Sequence, residues 1–244
     1  DSMREVIEAH GVTIMTSTKV NAIATERVRG KARATGVTYK NPDGHTHTLS
    51  ADIVVSTTDL HHSETQLLPE ELQTYPQKWW DKKVAGPSAV LLYLGVKGEV
   101  PELLHHSLFF TEDWDDNFSQ IFADKPTVPS PASLYVCKPS ATDSSVAPKG
   151  HTNLFVLVPM PADVTLGHGG LNGSGDSAVE GIADRAIEQI IKWSGASDLA
   201  ERIVLRRSVG PADFAGDLNA WKGTALGPAH ILTQSALFRA GNVS

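Results

Sequence analysis

The longest apolar run in this chain is short. It covers Ala89 to Val96, and Tyr93 and Gly95 interrupt it. A membrane-spanning helix needs about 20 consecutive apolar residues. The hydrophobic side chains must therefore be buried in a globular core. The run lies inside PSAVLLYLGVKG, which reads as a strand. Further strands are predicted over 107–111, 133–138, 153–159 and 202–208, separated by loops such as DKPTVPSPAS and KPSATDSSVAPKG. Short strands joined in this way predict a mostly antiparallel sheet. One long helix is predicted over 177–193, because Val179, Ile182, Ala183, Ala186, Ile187, Ile190 and Trp193 fall on one stripe. Asp176 is its expected N-cap, and Gly195 its stop.

The front of the chain reads differently. MREVIEAHGVTIM predicts a helix stopped by Gly11, then a short strand at Val12-Thr13-Ile14. Strands follow from Val20, with a turn at Asn41-Pro42-Asp43-Gly44. ADIVVSTTDLHH predicts a buried parallel strand that ends in small polar residues, the place where ligands gather in open α/β sheets. Residues 1–59 therefore read as the late part of a nucleotide-type α/β domain. From residue 60 onward the chain reads as a sheet with helices, an architecture that often walls an apolar pocket.

The net charge of −7 over 244 residues argues against nucleic acid as a partner. A single cysteine, Cys137, excludes an internal disulfide and a zinc–thiolate cluster, and it fits a reducing compartment. The adjacent pairs His61-His62 and His105-His106 read as surface or capping residues, because neighbouring side chains point apart; no metal site is predicted. GHGGLNGSGD, 167–176, reads as a flexible surface loop and lacks any phosphate-binding pattern. TEDWDDNF reads as an exposed acidic loop anchored by Trp114 and Phe118. No G-x-S-x-G elbow occurs. In the last third, Phe214, Leu218, Trp221, Leu226, Ile231, Leu237 and Phe238 among glycines suit either an apolar tunnel, with Gln234 and Arg239 as polar fixtures, or an ordinary capped core segment. The segment with Leu67, Leu68, Trp79, Trp80 and lysines suits either an interfacial anchor or a packed surface stretch. The chain starts at Asp1, inside a helical pattern, and reads as an internal piece of a longer protein.

Several stretches carry a resemblance. PSAVLLYLGVKG, CKPSATDSSVAPKGHTNLFVLVPMP, VGPADF and GTALGPAHILTQSALFRAGN resemble the phytoene desaturase family of bacterial FAD-dependent carotenoid desaturases, closest to actinobacterial members. The front resembles that family's middle FAD-domain segment. The resemblance implies an amine-oxidase-like flavoprotein of α/β and α+β class. Residues 1–59 would be part of an FAD-binding Rossmann-like domain. Residues 60–225 would form a substrate-binding domain with a mixed or antiparallel sheet and helices, and 226–244 a return segment toward the FAD domain. It implies desaturation of phytoene, or a related C30–C40 polyene, toward lycopene. Oxygen or a quinone would be the electron acceptor, and the enzyme would be cytoplasmic and peripheral on a membrane surface. Val20, Ser56, Thr57 and Thr58 would contact FAD; Gln234, Phe238 and Arg239 would face substrate. The family's G-x-G-x-x-G and C-terminal flavin motifs lie outside these residues, so no catalytic residue is assigned, and the piece alone is expected to be inactive. The other readings are a non-catalytic module for apolar lipids or carotenoids, and a different amine-oxidase-like oxidoreductase.

Overall fold

A computed structural model describes residues 2–123 and 125–241. The chain forms two compact units, one running to Asp81 and including Gly241, the other Lys82–Ala240.

The first unit holds α1 (Ser2–Ala9), β1 (Lys19–Val28), β2 (Lys31–Lys40) and β3 (Thr46–Ser50). The strands make an antiparallel meander in that order. The predicted turn between β2 and β3 is present: Gly44 N–H donates to the Asn41 carbonyl at 2.9 Å, and His45 N–H donates to the Asp43 carboxylate at 3.0 Å. Gly36, at φ +149°, lets β3 approach, because a Cβ there would collide with the Leu49 carbonyl. After β3 the expectation fails. Residues 51–58 form no strand, and Ile53 and Val55 are each 79% exposed. A buried parallel strand needs neighbours on both edges. The antiparallel meander provides only the bond from Ala51 N–H to the Thr35 carbonyl. Val12 to Ile14 form no strand either, and Val12 and Ile14 are exposed.

The unit continues with α2 (Leu60–His62), capped by the Asp59 side chain, which accepts from the His61 and His62 amides. A π-helical turn, Ser63–Leu67, follows directly. Pro69 and Pro76 stand at the N-cap positions of a short 3₁₀ turn (Glu70–Leu72) and of α3 (Gln77–Trp80). Trp80 is wholly buried and donates its indole N–H to the Tyr75 carbonyl at 2.9 Å; Leu67 is buried as well. Trp80 is thus packed inside this segment, while Trp79 is half-buried.

The second unit contains β4 (Ser88–Lys97), β5 (His106–Phe109), α4 (Trp114–Phe122), β6 (Leu134–Cys137), β7 (His151–Met160), α5 (Ser177–Ser194), α6 (Leu199–Arg202), β8 (Ile203–Val209) and α7 (Pro211–Leu218). Its sheet runs β5-β6-β7-β4-β8, antiparallel throughout. Alternate residues of β7, from Thr152 to Met160, are buried on one face, as the period of two requires. The apolar stripe of α5 joins them in a single core with Leu92, Leu94 and Val96. Each fully buried aliphatic side chain there contributes about 1.5–3 kcal/mol. Glu180 on α5 is buried and pairs with Arg206, while its other oxygen accepts from the Ser208 hydroxyl.

The 167–176 loop is built rather than slack. Gly170 N–H donates to Ser208 Oγ at 2.8 Å, and Gly175 N–H to Glu180 Oε1 at 3.2 Å. Asp176 stands at the N-cap position of α5. Its carboxylate accepts from His168 N–H at 2.7 Å, with no bond to the helix's own amides. Gly169 is required because a Cβ would strike the Ser208 carbonyl. Where the chain enters and leaves this unit, the two ends are bonded together. Ala85 bridges Pro228, and Ala229 N–H donates to the Val84 carbonyl at 2.9 Å.

Candidate functional site

An apolar concavity lies in the second unit, between α4 and the sheet, with a volume of about 240 Å³. Its wall comes from a spacing of four. Phe110, Trp114, Phe118 and Phe122 share one face, and successive ring centroids lie 4.8, 5.6 and 6.2 Å apart. Leu134, Tyr135, Leu157 and Pro159 form the floor. Among the described residues no carboxylate, lysine or histidine lines it.

The acidic residues that make this stretch look like a solvated loop do a different job. Asp113 caps α4, accepting from Asp116 N–H at 2.8 Å, and Asp115 and Asp116 sit in the first turn, where the helix dipole favours negative charge. Asn117 is buried and clamps the helix: its amide donates to the Pro131 carbonyl at 3.0 Å and accepts from Ser133 N–H at 3.2 Å. The expectation of an exposed loop at 111–118 holds for its exposure but is corrected in form from Trp114 onward: Trp114–Phe122 is a helix that presents an aromatic face.

A second, wider cavity of about 730 Å³ lies wholly within the first unit. Here the residues after the apolar run at 53–55 come together. Ser56 Oγ lies 2.6 Å from Ser63 Oγ, Thr58 Oγ1 lies 2.8 Å from the same atom, and both line the cavity beside Ile23 and Val54. Glu64, only 2% exposed, also faces it and accepts from Tyr75 N–H at 3.0 Å. Its place on a π turn is of the kind that recurs at functional sites. In the sequence Glu64 looks like one more acid on a helix surface, and only the π turn buries it. Next to this turn, burial lowers the His62 pKa, against the opposing pull of Asp59.

The predicted contact residues scatter. Ser56 and Thr58 line the second cavity; Thr57 is exposed and does not. Val20 lies on β1 opposite Tyr39, outside that wall. Gln234 is buried and its amide is held by backbone, accepting from Val84 N–H at 2.8 Å and donating to the Val84 carbonyl at 2.9 Å and the Ala229 carbonyl at 3.1 Å. Phe238 and Arg239 are exposed, and none of these three lines the aromatic cleft. The residues that do, on α4, are signalled by the four-residue recurrence from Phe110 to Phe122.

The fold therefore has an antiparallel-sheet unit that carries an apolar cleft and a smaller unit built on an antiparallel three-stranded meander with short helices. No protein-family model matches the chain. Curated proteins do. The chain is 39% identical over its whole length to carotenoid 3,4-desaturase of Haloarcula japonica, covering 46% of that protein. It is 36% identical over 80% of its length to a zeta-carotene-forming phytoene desaturase of Myxococcus xanthus, covering 36% of it. It is 32% identical over 98% of its length to a lycopene-forming phytoene desaturase of a Paracoccus species, covering 45% of it. The chain is therefore related, along its entire length, to the carotenoid and phytoene desaturases, and it spans about half the length, or less, of these relatives. Among solved structures, an oxidoreductase from Methanosarcina mazei matches with a TM-score of 0.41 and 16% identity, over 86% of this chain and 39% of that one; a likeness this slight carries no argument about the fold. Among the described residues no helix is long and apolar enough to cross a membrane.

Proposed function

We propose that the full-length protein is an FAD-dependent desaturase that converts phytoene, or a related C30–C40 polyene, toward lycopene. The observation that carries this reading is the aromatic cleft under α4, in a chain similar throughout to enzymes named for such polyenes. A polyene offers no charge and no hydrogen-bonding group. Binding it takes apolar area and π faces, which Trp114, Phe118 and Phe122 supply.

The residues of the second cavity suit the cofactor. Ser56, Thr58 and Ser63 hydroxyls now bond one another and can turn toward polar atoms of a bound group, while Ile23 and Val54 offer a flat apolar surface. FAD, when bound, supplies the two-electron acceptor. The part of this chain is to hold it through these hydroxyls, to grip the polyene and to keep water away. The exposed Val12, Ile14, Ile53 and Val55 are then surfaces that the rest of the full-length protein covers. Because the substrate dissolves in lipid, the half-exposed aromatic face of α4 is also the proposed membrane contact.

The test uses full-length protein, with phytoene supplied in vesicles and product followed by its visible absorbance. Trp114→Ala with Phe118→Ala removes two stacked rings, at about 0.5–1.5 kcal/mol each beyond the apolar area lost. It should lower turnover at low substrate and vesicle co-sedimentation at least tenfold, while flavin content stays unchanged. Ser56→Val with Thr58→Val should do the reverse and deplete flavin first. Unaltered turnover in the first variant removes the cleft from the reaction. Polyene binding without any turnover in the unmodified protein favours a non-catalytic carrier.

A further inference from the structure

His105, His106 and Cys137 lie close together in the structure though far apart in sequence. His106 and Cys137 are directly opposed across β5 and β6. His105, the residue before β5, is pinned by Lys138 N–H, which donates to its carbonyl at 2.8 Å. The two imidazoles, which adjacent positions would normally send apart, are stacked with centroids 4.2 Å apart. One ring nitrogen from each and the Cys137 sulfur lie within 4.8 Å of one another.

The surroundings are those of a ligand set. His106 Nδ1 lies 2.7 Å from the Tyr135 hydroxyl, and His105 Nδ1 lies 3.0 Å from Thr142 Oγ1. Each hydroxyl takes one ring nitrogen and leaves the other, the way outer partners fix the orientation of metal-bound histidines. Two imidazoles and one thiolate are the donors that zinc prefers. Tetrahedral zinc with bonds of about 2.0–2.3 Å sets its donors roughly 3.5 Å apart, so closure needs the three side chains to draw in by about 1 Å.

We infer that His105, His106 and Cys137 form a three-ligand site for zinc, with its fourth position open to water. It would clip the edge strand β5 to β6, and all three of its ligands belong to the second unit.

Cobalt(II) titration of the full-length protein tests this, because cobalt reports a thiolate ligand through a charge-transfer band in the near ultraviolet. The expected result is one cobalt per chain with that band, displaced by zinc. Cys137→Ser should abolish the band, and His106→Gln should weaken cobalt binding at least tenfold. Tyr135→Phe keeps all three ligands and should weaken binding by a smaller factor. Zinc should raise the Tm of the unmodified protein and not that of His106→Gln. If Cys137→Ser does not fold, His106→Gln, at an exposed position, carries the comparison. No band in the unmodified protein, or a band and affinity unchanged in the variants, overturns the site.

Discussion

At the scale of single residues, Asp213 shows how one carboxylate can hold a loop. Burial pushes its pKa up. Hydrogen bonds from the Gly210 and Gly169 amides, with His168, outweigh that and bring it below the ordinary carboxylate value. A depressed pKa means that the ionised form is favoured by folding. The stabilisation is complete above the unfolded value of about 3.9 and is lost as pH falls through the lower folded value. Asp213→Asn should therefore lower stability at neutral pH by about 1–3 kcal/mol. The gap between variant and unmodified protein should close below about pH 4. Denaturant melts across that range measure it, and a gap that is constant with pH would refute the account.

At the scale of elements, α4 is the informative case. Its aromatic face exists only while the helix is formed, and the Asp113 cap holds the first turn. Asp113→Ala should cost about 1 kcal/mol. It should also weaken binding of an apolar fluorescent probe to the cleft several-fold, with the core intact by near-ultraviolet circular dichroism. Unchanged probe binding would mean that the cleft does not depend on the cap. The same element marks what the sequence could reveal. The strands β4 and β7 were legible as continuous apolar runs between loop-rich stretches, and the helix α5 because its apolar positions keep the helical period along its whole length. In α4 the acids that cap the helix mask the four-residue recurrence of rings. At Ile53 and Val55 the composition of a strand is present, but strand state depends on a partner edge that the local pattern does not contain. The burial of Glu64 was hidden for a related reason: a π turn has no composition of its own. Nor could spacing bring His106 opposite Cys137, since only the pairing of β5 with β6 does that.

At the scale of the whole molecule, the second unit has its own sheet, its own covering helix and a contiguous core. Residues 82–240 expressed alone should therefore unfold in one cooperative transition. A gradual, dye-binding melt would show that this unit needs the rest of the chain. The bonds at Val84, Ala85, Pro228, Ala229 and Gln234 give that independence a further meaning. They bring the start and the finish of a long excursion side by side, so the excursion behaves as a cassette with one doorway. A cassette of this kind can be lengthened, exchanged or re-ended inside without altering the distance its host must span. It is at this doorway that a chimera should be cut.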